Sequence, residues 1–226
     1  MKILCLKFFL FCILLNALAV SAAEAASRSF LMKKCRQEMK QNPPSVVISY
    51  NFGKLSYNNN LSAEEIKKEY AKIAKVSDST IYHGLTLLSF YKNIAVFPVF
   101  SEMKDGIACV YPEKVEVKIG FTDPTIFIDN TLDRNSCVYR KTLRHELQHL
   151  DDAHTFLTYL VKNLKKDTLN IVNQIGPQLV KETGTVKWDY EQTLDNLIED
   201  HYRKWRERAG MMDSPENYAA EQKLCR

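Results

Sequence analysis

The sequence lacks an excess of either charge, internal repeats and low-complexity tracts, and it has no apolar run long enough to cross a membrane. Its 226 residues include 31 basic and 27 acidic side chains, a balance too even to predict a nucleic-acid partner. The N-terminal apolar run, residues 8–15, is far shorter than the roughly 20 residues of a spanning helix. These absences favour a globular protein without a stable membrane anchor.

The N-terminus has the order of residues that is typical of a secretory signal peptide. Lys2 and Lys7 flank the apolar run, and small residues dominate positions 17–22. This order predicts cleavage after Ala22 or a neighbouring alanine, and removal of residues 1–22 leaves 29 basic residues against 27 acidic ones. We expect residues 1–22 to be a signal peptide, 23–44 an N-terminal extension, and 45–226 one domain of a secreted or periplasmic protein.

Cysteine is scarce, and two of the six cysteines would leave with the signal peptide. An even number of remaining cysteines in an exported chain predicts disulfides rather than free thiols. Four cysteines allow three pairings. We favour Cys109 with Cys137, which bracket the segment leading into the motif described below, and Cys35 with Cys225, which tie the two ends of the chain together.

Short apolar runs separated by turn residues predict an antiparallel sheet. A first strand or hairpin is expected over residues 46–57. Further runs cover residues 80–90, 94–100, 107–111, 115–121 and 125–129. Strands followed by long helices indicate an α+β fold, and the last run is a candidate edge for aligning an extended peptide.

Four further segments predict helices. Ser62 and Glu65 form a capping-box pattern at the start of a short amphipathic helix. No glycine or proline interrupts the chain between residue 136 and Gly176, and leucines recur at helical spacing, so one long helix is expected there. A second long helix is expected over about 186–209 with Gly210 as its stop, followed by a short helix that opens at Ser214.

The segment His145-Glu146-Leu147-Gln148-His149 lies inside the first long helix. Residues four apart project from one helix face, so His145 and His149 can each place a ring nitrogen on a single zinc ion. Glu146 fits the general base that takes a proton from water activated by the metal. The spacing therefore predicts metal-assisted hydrolysis with Zn2+ as the cofactor.

A catalytic zinc needs a third protein ligand, and the second long helix offers the candidates. His201 falls within its apolar stripe and is our first choice, with Glu191 or Asp195 at the edge of that stripe as alternatives. His154 is a weaker candidate, because it lies on the opposite side of its helix from the first motif histidine. Asp152 lies on the ligand face and is expected to accept a hydrogen bond from a ligand histidine.

Five parts of the sequence resemble a known family: Cys109, the segment Gly120 to Ile128, Cys137, the HELQH helix, and the tail from Ser214 to Cys225. On these residues the chain is similar to bacterial predicted secreted zinc-dependent proteases, formerly a domain of unknown function. The resemblance covers about residues 45–226, and HELQH is its specific motif. It implies a zincin-like fold, in which a twisted antiparallel sheet packs on the HExxH helix and on a second long helix, with the motif residues as ligand, base and ligand.

Together these patterns predict an exported zinc metallopeptidase that hydrolyses peptide bonds in a protein or peptide substrate. Peptidoglycan is an alternative amide substrate in the same compartment. A different class of protein also fits these patterns. It is a zinc-stabilised binding or structural protein of the cell envelope that catalyses no reaction. A structural zinc site uses four protein ligands, whereas a catalytic one leaves a position open.

Overall fold

The computed structural model describes residues 25–73, 80–181, 189–214, 217 and 225. The predicted signal peptide lies outside these residues, as does most of the short helix expected after Ser214. The elements in chain order are α1 (25–41), β1 (Ser45–Asn51), β2 (Ser56–Asn58), α2 (Ala63–Tyr70), β3 (Gly84–Glu102), β4 (Ile107–Ile128), α3 (Cys137–Ile175), β5 (Gln178–Lys181) and α4 (Asp189–Met212). A search of the helices in these ranges finds no candidate membrane span.

The five strands form one sheet, and each of the other four strands pairs with β4. β2 runs parallel to β4, with Ser56 opposite Thr125 and Asn58 opposite Phe127, whereas β5 runs antiparallel to β4. The fold is α+β, but the prediction of an antiparallel sheet is wrong. The zincin-like arrangement, which was predicted with that sheet, is therefore wrong as well. The physical reason is connectivity: α2 and β3 separate β2 from β4, and a connection of that length permits parallel pairing.

The predicted short strands merge into two long ones. The runs 80–90 and 94–100 contribute to β3, and the three later runs contribute to β4, because neither Pro112 nor Pro124 interrupts strand geometry. The segment expected as a free edge is covered, since β2 pairs with residues 125–127.

The described residues divide into two compact units. Of the described residues, the first unit contains 25–45, 96–115, 171–181 and 189–190, and the second contains 46–73, 80–95, 116–170 and those from Glu191 onward. In the first unit, α1 buries Leu31, Cys35 and Met39, which recur every four residues and so share one helix face. The predicted N-terminal extension is therefore integrated in this unit.

In the second unit, aromatic side chains from β3, β4, α3 and α4 form the core. The rings of Phe90, Phe121, Phe156, Tyr202 and Trp205 pack in edge and stacked contacts with centroids 4.5–6.5 Å apart. Such contacts add to the stabilisation from apolar burial. This cluster holds the two long helices against the sheet.

The helices follow the sequence signals closely. Ser62 caps α2 with the full capping box. α3 runs uninterrupted to Ile175, where Gly176 adopts a φ of 70° that favours glycine and ends the helix. α4 continues through Gly210 to Met212, so the helix ends three residues later than expected.

The disulfide pairing differs from the predicted one. Cys35 bonds to Cys109 and Cys137 bonds to Cys225, with Cα atoms 5.5 and 5.6 Å apart. The favoured pairs, Cys109–Cys137 and Cys35–Cys225, are wrong because each compact unit keeps its own two cysteines. Sequence spacing does not reveal which Cα atoms approach to bonding distance.

Candidate metal centre

The candidate metal centre begins with two histidines on α3. His145 and His149 lie one turn apart, and their Nε2 atoms are 3.1 Å apart. The helix is fixed here by the apolar cluster of Ile126, Ile128 and Leu150. Packing against the sheet therefore sets the direction in which both imidazoles point.

Asp213 completes the group from the end of α4. Its Oδ1 lies 3.0 Å from Nε2 of His145 and 2.9 Å from Nε2 of His149. Within the described ranges these three residues form a group of potential ligands whose atoms converge on one point. Two nitrogens and one carboxylate oxygen are donors that suit zinc.

The geometry of the three atoms fits a metal ion. On a tetrahedral zinc, two ligand atoms about 2.1 Å from the ion lie roughly 3.4 Å from each other. The three separations of 2.9–3.1 Å are within a few tenths of an ångström of that value. Hydrogen bonds alone account poorly for these three contacts. Each Nε2 carries one proton at most. If both protons point to the carboxylate, no proton is left between the two nitrogens.

The surroundings of Asp213 favour its ionised form. Burial would raise the pKa of this carboxyl, but hydrogen bonds from His145 and His149 and their positive charge outweigh burial and hold the pKa well below its usual range. The hydroxyl of Tyr70 donates to the other oxygen, Oδ2, at 3.3 Å. The carboxylate is thus deprotonated and oriented, as a metal ligand must be.

Tyr70 is positioned by the last turn of α2. The helix buries Ile66 against Tyr82 and Leu85, and the ring of Tyr70 packs on the same cluster. Burial, and next the charge of Asp213, raise the pKa of the Tyr70 hydroxyl. The hydroxyl therefore stays protonated and remains a donor to the carboxylate.

Glu146 lies beside the histidines and is almost completely buried, with 2% of its surface exposed. The Oγ1 of Thr86 lies 2.8 Å from its Oε2 and 3.0 Å from its main-chain oxygen. Burial raises the pKa of the Glu146 carboxyl to about 7, against the opposing influence of both histidines and of Thr86. A carboxyl with such a pKa can both accept and return a proton near neutral pH.

Gly84 makes room for the Glu146 carboxyl at the start of β3. A Cβ atom at this position would overlap Oε1 of Glu146 and would lie 2.6 Å from Cγ2 of Thr142. Any side chain here would have to displace the carboxyl or the helix. The glycine is therefore required by close approach rather than by its backbone angles.

His83, next to Gly84, is tied to a buried carboxylate. Its Nδ1 lies 2.8 Å from Oδ2 of Asp129, and the main-chain N–H of Asp129 donates to the oxygen of His83. Thr131 donates to Oδ1 through its N–H and its hydroxyl. Burial would raise the pKa of Asp129, but the hydrogen bonds from Thr131 and His83 lower it overall.

The predicted third ligands do not join the motif histidines. The ring of His201 contacts that of Tyr159, with centroids 6.0 Å apart. Asp195 pairs with Lys92 at 2.9 Å, and Glu191 lines a shallow depression near Asp195. His201 lies away from the motif histidines because α3 and α4 run antiparallel, so the middle of α4 packs beside the middle of α3.

Asp152 shows the same register between the helices. It accepts hydrogen bonds from Nε1 of Trp205 at 2.6 Å and from Arg208 at 3.3 Å, not from a ligand histidine as predicted. A residue that reaches the motif must lie further along the chain, and Asp213, directly after α4, does. His154, the other alternative, stacks on the ring of Phe52 with centroids 3.9 Å apart.

Sequence reasoning missed Asp213 because it assumed that α4 ends at Gly210. One signal could have found it: a carboxylate just after a helix faces the negative end of the helix dipole, an unfavourable place without a cation. Comparison with known proteins supplies no further guide. No protein-family model matches the chain, and no curated protein and no solved structure matches it either.

Proposed function

We propose that this protein is an exported zinc-dependent metallopeptidase in which His145, His149 and Asp213 hold the ion and Glu146 is the general base. The observation that carries the proposal is the convergence of the three ligand atoms beside a buried glutamate whose pKa is near 7. Buried carboxyls with shifted pKa values are typical of functional sites. Three protein ligands also leave a coordination position open, as catalytic zinc requires.

The residues divide the chemistry among them. Zinc, when bound, would polarise the carbonyl of the substrate and lower the pKa of a water molecule beside it. Glu146 takes the proton of the attacking water and returns it to the departing amine, while Thr86 fixes the orientation of its carboxyl. Asp213 supplies a negative charge to the ligand set, and Tyr70 keeps that carboxylate in place.

The proposed location is the periplasm or the extracellular medium. Two disulfides are compatible with an oxidising compartment, and the N-terminal sequence has the order of a signal peptide. The proposed substrate is a protein or peptide, with peptidoglycan cross-links as the alternative amide in the same compartment.

The test is the zinc content of the purified mature protein, by elemental analysis, combined with hydrolysis of a denatured fluorescent protein. The wild type is expected to carry one zinc per chain, and His149→Ala and Asp213→Asn are expected to lose it. Asp195→Asn, a matched change on the same helix, is expected to keep it. Absence of zinc from the wild type after reconstitution would overturn the proposal.

Glu146→Gln separates the peptidase from the zinc-stabilised binding protein. This variant keeps the ligands and most of the shape of the side chain but has no base. Retained zinc with hydrolysis reduced at least about a hundredfold is the result expected of a peptidase. Zinc retained in both proteins with no hydrolysis by the wild type would favour the binding or structural role.

A further inference from the structure

Helix α1 carries an exposed basic face that the proposed metal centre does not use. Within residues 25–41 there are five basic side chains and one acidic side chain. The basic residues, all exposed, are Arg28, Lys33, Lys34, Arg36 and Lys40. The last four share the face that points away from the buried residues, whereas Arg28 lies on the side of Cys35 and Met39. The mature chain as a whole is nearly neutral, so this concentration of positive charge is local.

The basic face lacks counter-charges. Glu38, the one acidic residue in this range, accepts a hydrogen bond from the hydroxyl of Tyr111 at 3.4 Å. In the described part of the chain, none of the five cations forms an ion pair with a carboxylate. By contrast, the exposed Arg203 of α4 pairs with both Asp200 and Glu207 at 2.7 Å.

The spacing of the cations makes the face unfavourable in the free protein. Lys33 and Arg36 are three residues apart, and Arg36 and Lys40 are four apart, so these side chains are neighbours on the helix surface. Like charges at this spacing destabilise a helix. An anionic surface in contact with the face would remove that repulsion.

An exposed aromatic ring lies among the same cations. Phe30 has 68% of its surface exposed, and at about 100° per residue it lies within roughly 60° of Lys33 and Lys34 around the helix axis. A soluble anion would give this ring no partner. The boundary between lipid headgroups and acyl chains offers negative charge to the lysines and an apolar layer to the ring.

We propose that α1 docks this protein reversibly on an anionic phospholipid surface. Lys33, Lys34, Arg36 and Lys40 contact the headgroups, and Phe30 enters the interfacial layer. The opposite face of α1 stays packed in its own unit through Leu31, Met39 and the Cys35 disulfide, so docking requires no unfolding. The contact is electrostatic and weakens as salt is added.

The test is sedimentation of the full mature protein with vesicles of phosphatidylcholine, with and without phosphatidylglycerol. Binding is expected only to the anionic vesicles and is expected to fall with added salt. Each cation near such a surface strengthens binding about fivefold, so the triple change Lys33→Gln, Arg36→Gln and Lys40→Gln should weaken it about a hundredfold. Phe30→Ser should weaken binding while preserving its dependence on salt.

The matched control removes the same charge from α3 through Lys162→Gln, Lys165→Gln and Lys166→Gln, which are also exposed. This control is expected to bind nearly as well as the wild type, and circular dichroism should show both triple variants folded. Equal losses in the two variants, or equal binding to neutral vesicles, would overturn the proposal. If the protein binds soluble polyphosphate as tightly as it binds the vesicles, the partner is a soluble polyanion and the proposed membrane contact is overturned.

Discussion

Glu146 illustrates how burial creates chemistry at the scale of one residue. An exposed glutamate is ionised and weakly basic at neutral pH, but the pocket made by Gly84 and Thr86 removes water from this carboxyl. Burial raises its pKa to about 7, and the hydroxyl of Thr86 fixes its orientation. A strong enough base and a fixed direction are the two properties that general base catalysis needs.

Gly84→Ala tests this pocket. The added Cβ would overlap the Glu146 carboxyl, and a displacement of about 1 Å is expected to lower kcat/KM by ten- to a hundredfold without loss of zinc. Gly210→Ala is the control, because a Cβ there meets no atom within 4 Å. Full activity in Gly84→Ala would show that the close approach has no role in catalysis.

Tyr70→Phe tests the support of Asp213, the proposed third ligand. The change removes the hydroxyl that donates to Asp213 and leaves the packing of the ring. Loss of a hydrogen bond to a ligand weakens metal affinity, and we expect about a tenfold effect for this long bond, measured by competition with a zinc chelator. Tyr159→Phe, at an exposed tyrosine on α3, should leave the affinity unchanged.

Asp129 is expected to make stability depend on pH. Its pKa is lowered in the folded protein below the value near 3.9 of an unfolded chain. The ionised carboxylate therefore stabilises the fold above pH 4 or so, and this contribution is lost as pH falls through the lowered folded pKa. Asp129→Asn should reduce the free energy of unfolding at pH 7 by about 2 kcal/mol.

Urea unfolding at pH 7 and at about pH 3 measures this effect. The difference between wild type and Asp129→Asn should shrink at the lower pH, because the carboxyl of the unfolded chain is then mostly protonated. Asp105→Asn is the control, because Asp105 has a φ of 59° that asparagine also tolerates. A difference that stays constant with pH would mean that the ionisation of Asp129 does not stabilise the fold.

At the scale of elements, local signals predict the helices well. The capping box at Ser62 and the absence of glycine before Gly176 are local features, and they correctly predict α2 and α3. The direction of β2 is not local, because it depends on a partner about 70 residues away. For the same reason the sequence predicts a sheet without revealing that it contains parallel pairing.

The residues of the candidate site also differ in whether local sequence predicts them. His145, Glu146 and His149 lie within five residues on one helix face, so their spacing alone predicts that they lie together. The third member depends on the register between α3 and α4, which is set by contacts such as Trp205 with Asp152. No periodicity within α4 reveals that register, so the sequence alone did not indicate Asp213 as a candidate.

At the scale of the whole molecule, the two disulfides fall within separate units and close loops of 74 and 88 residues. On the loop-entropy model each contributes about 4.5 kcal/mol to the free energy of unfolding. Peptide mapping without reduction should recover Cys35 with Cys109 and Cys137 with Cys225. Reduction should lower the midpoint of urea unfolding, and recovery of Cys109 bonded to Cys137 would contradict the fold.

We propose that His145, His149 and Asp213 hold one zinc ion, and anomalous diffraction at the zinc edge from crystals of the mature protein tests this most directly. The expected result is one anomalous peak per chain, about 2.1 Å from Nε2 of His145, Nε2 of His149 and Oδ1 of Asp213. A peak coordinated by His201 in place of Asp213, or no peak at the motif in zinc-soaked crystals, would contradict the account.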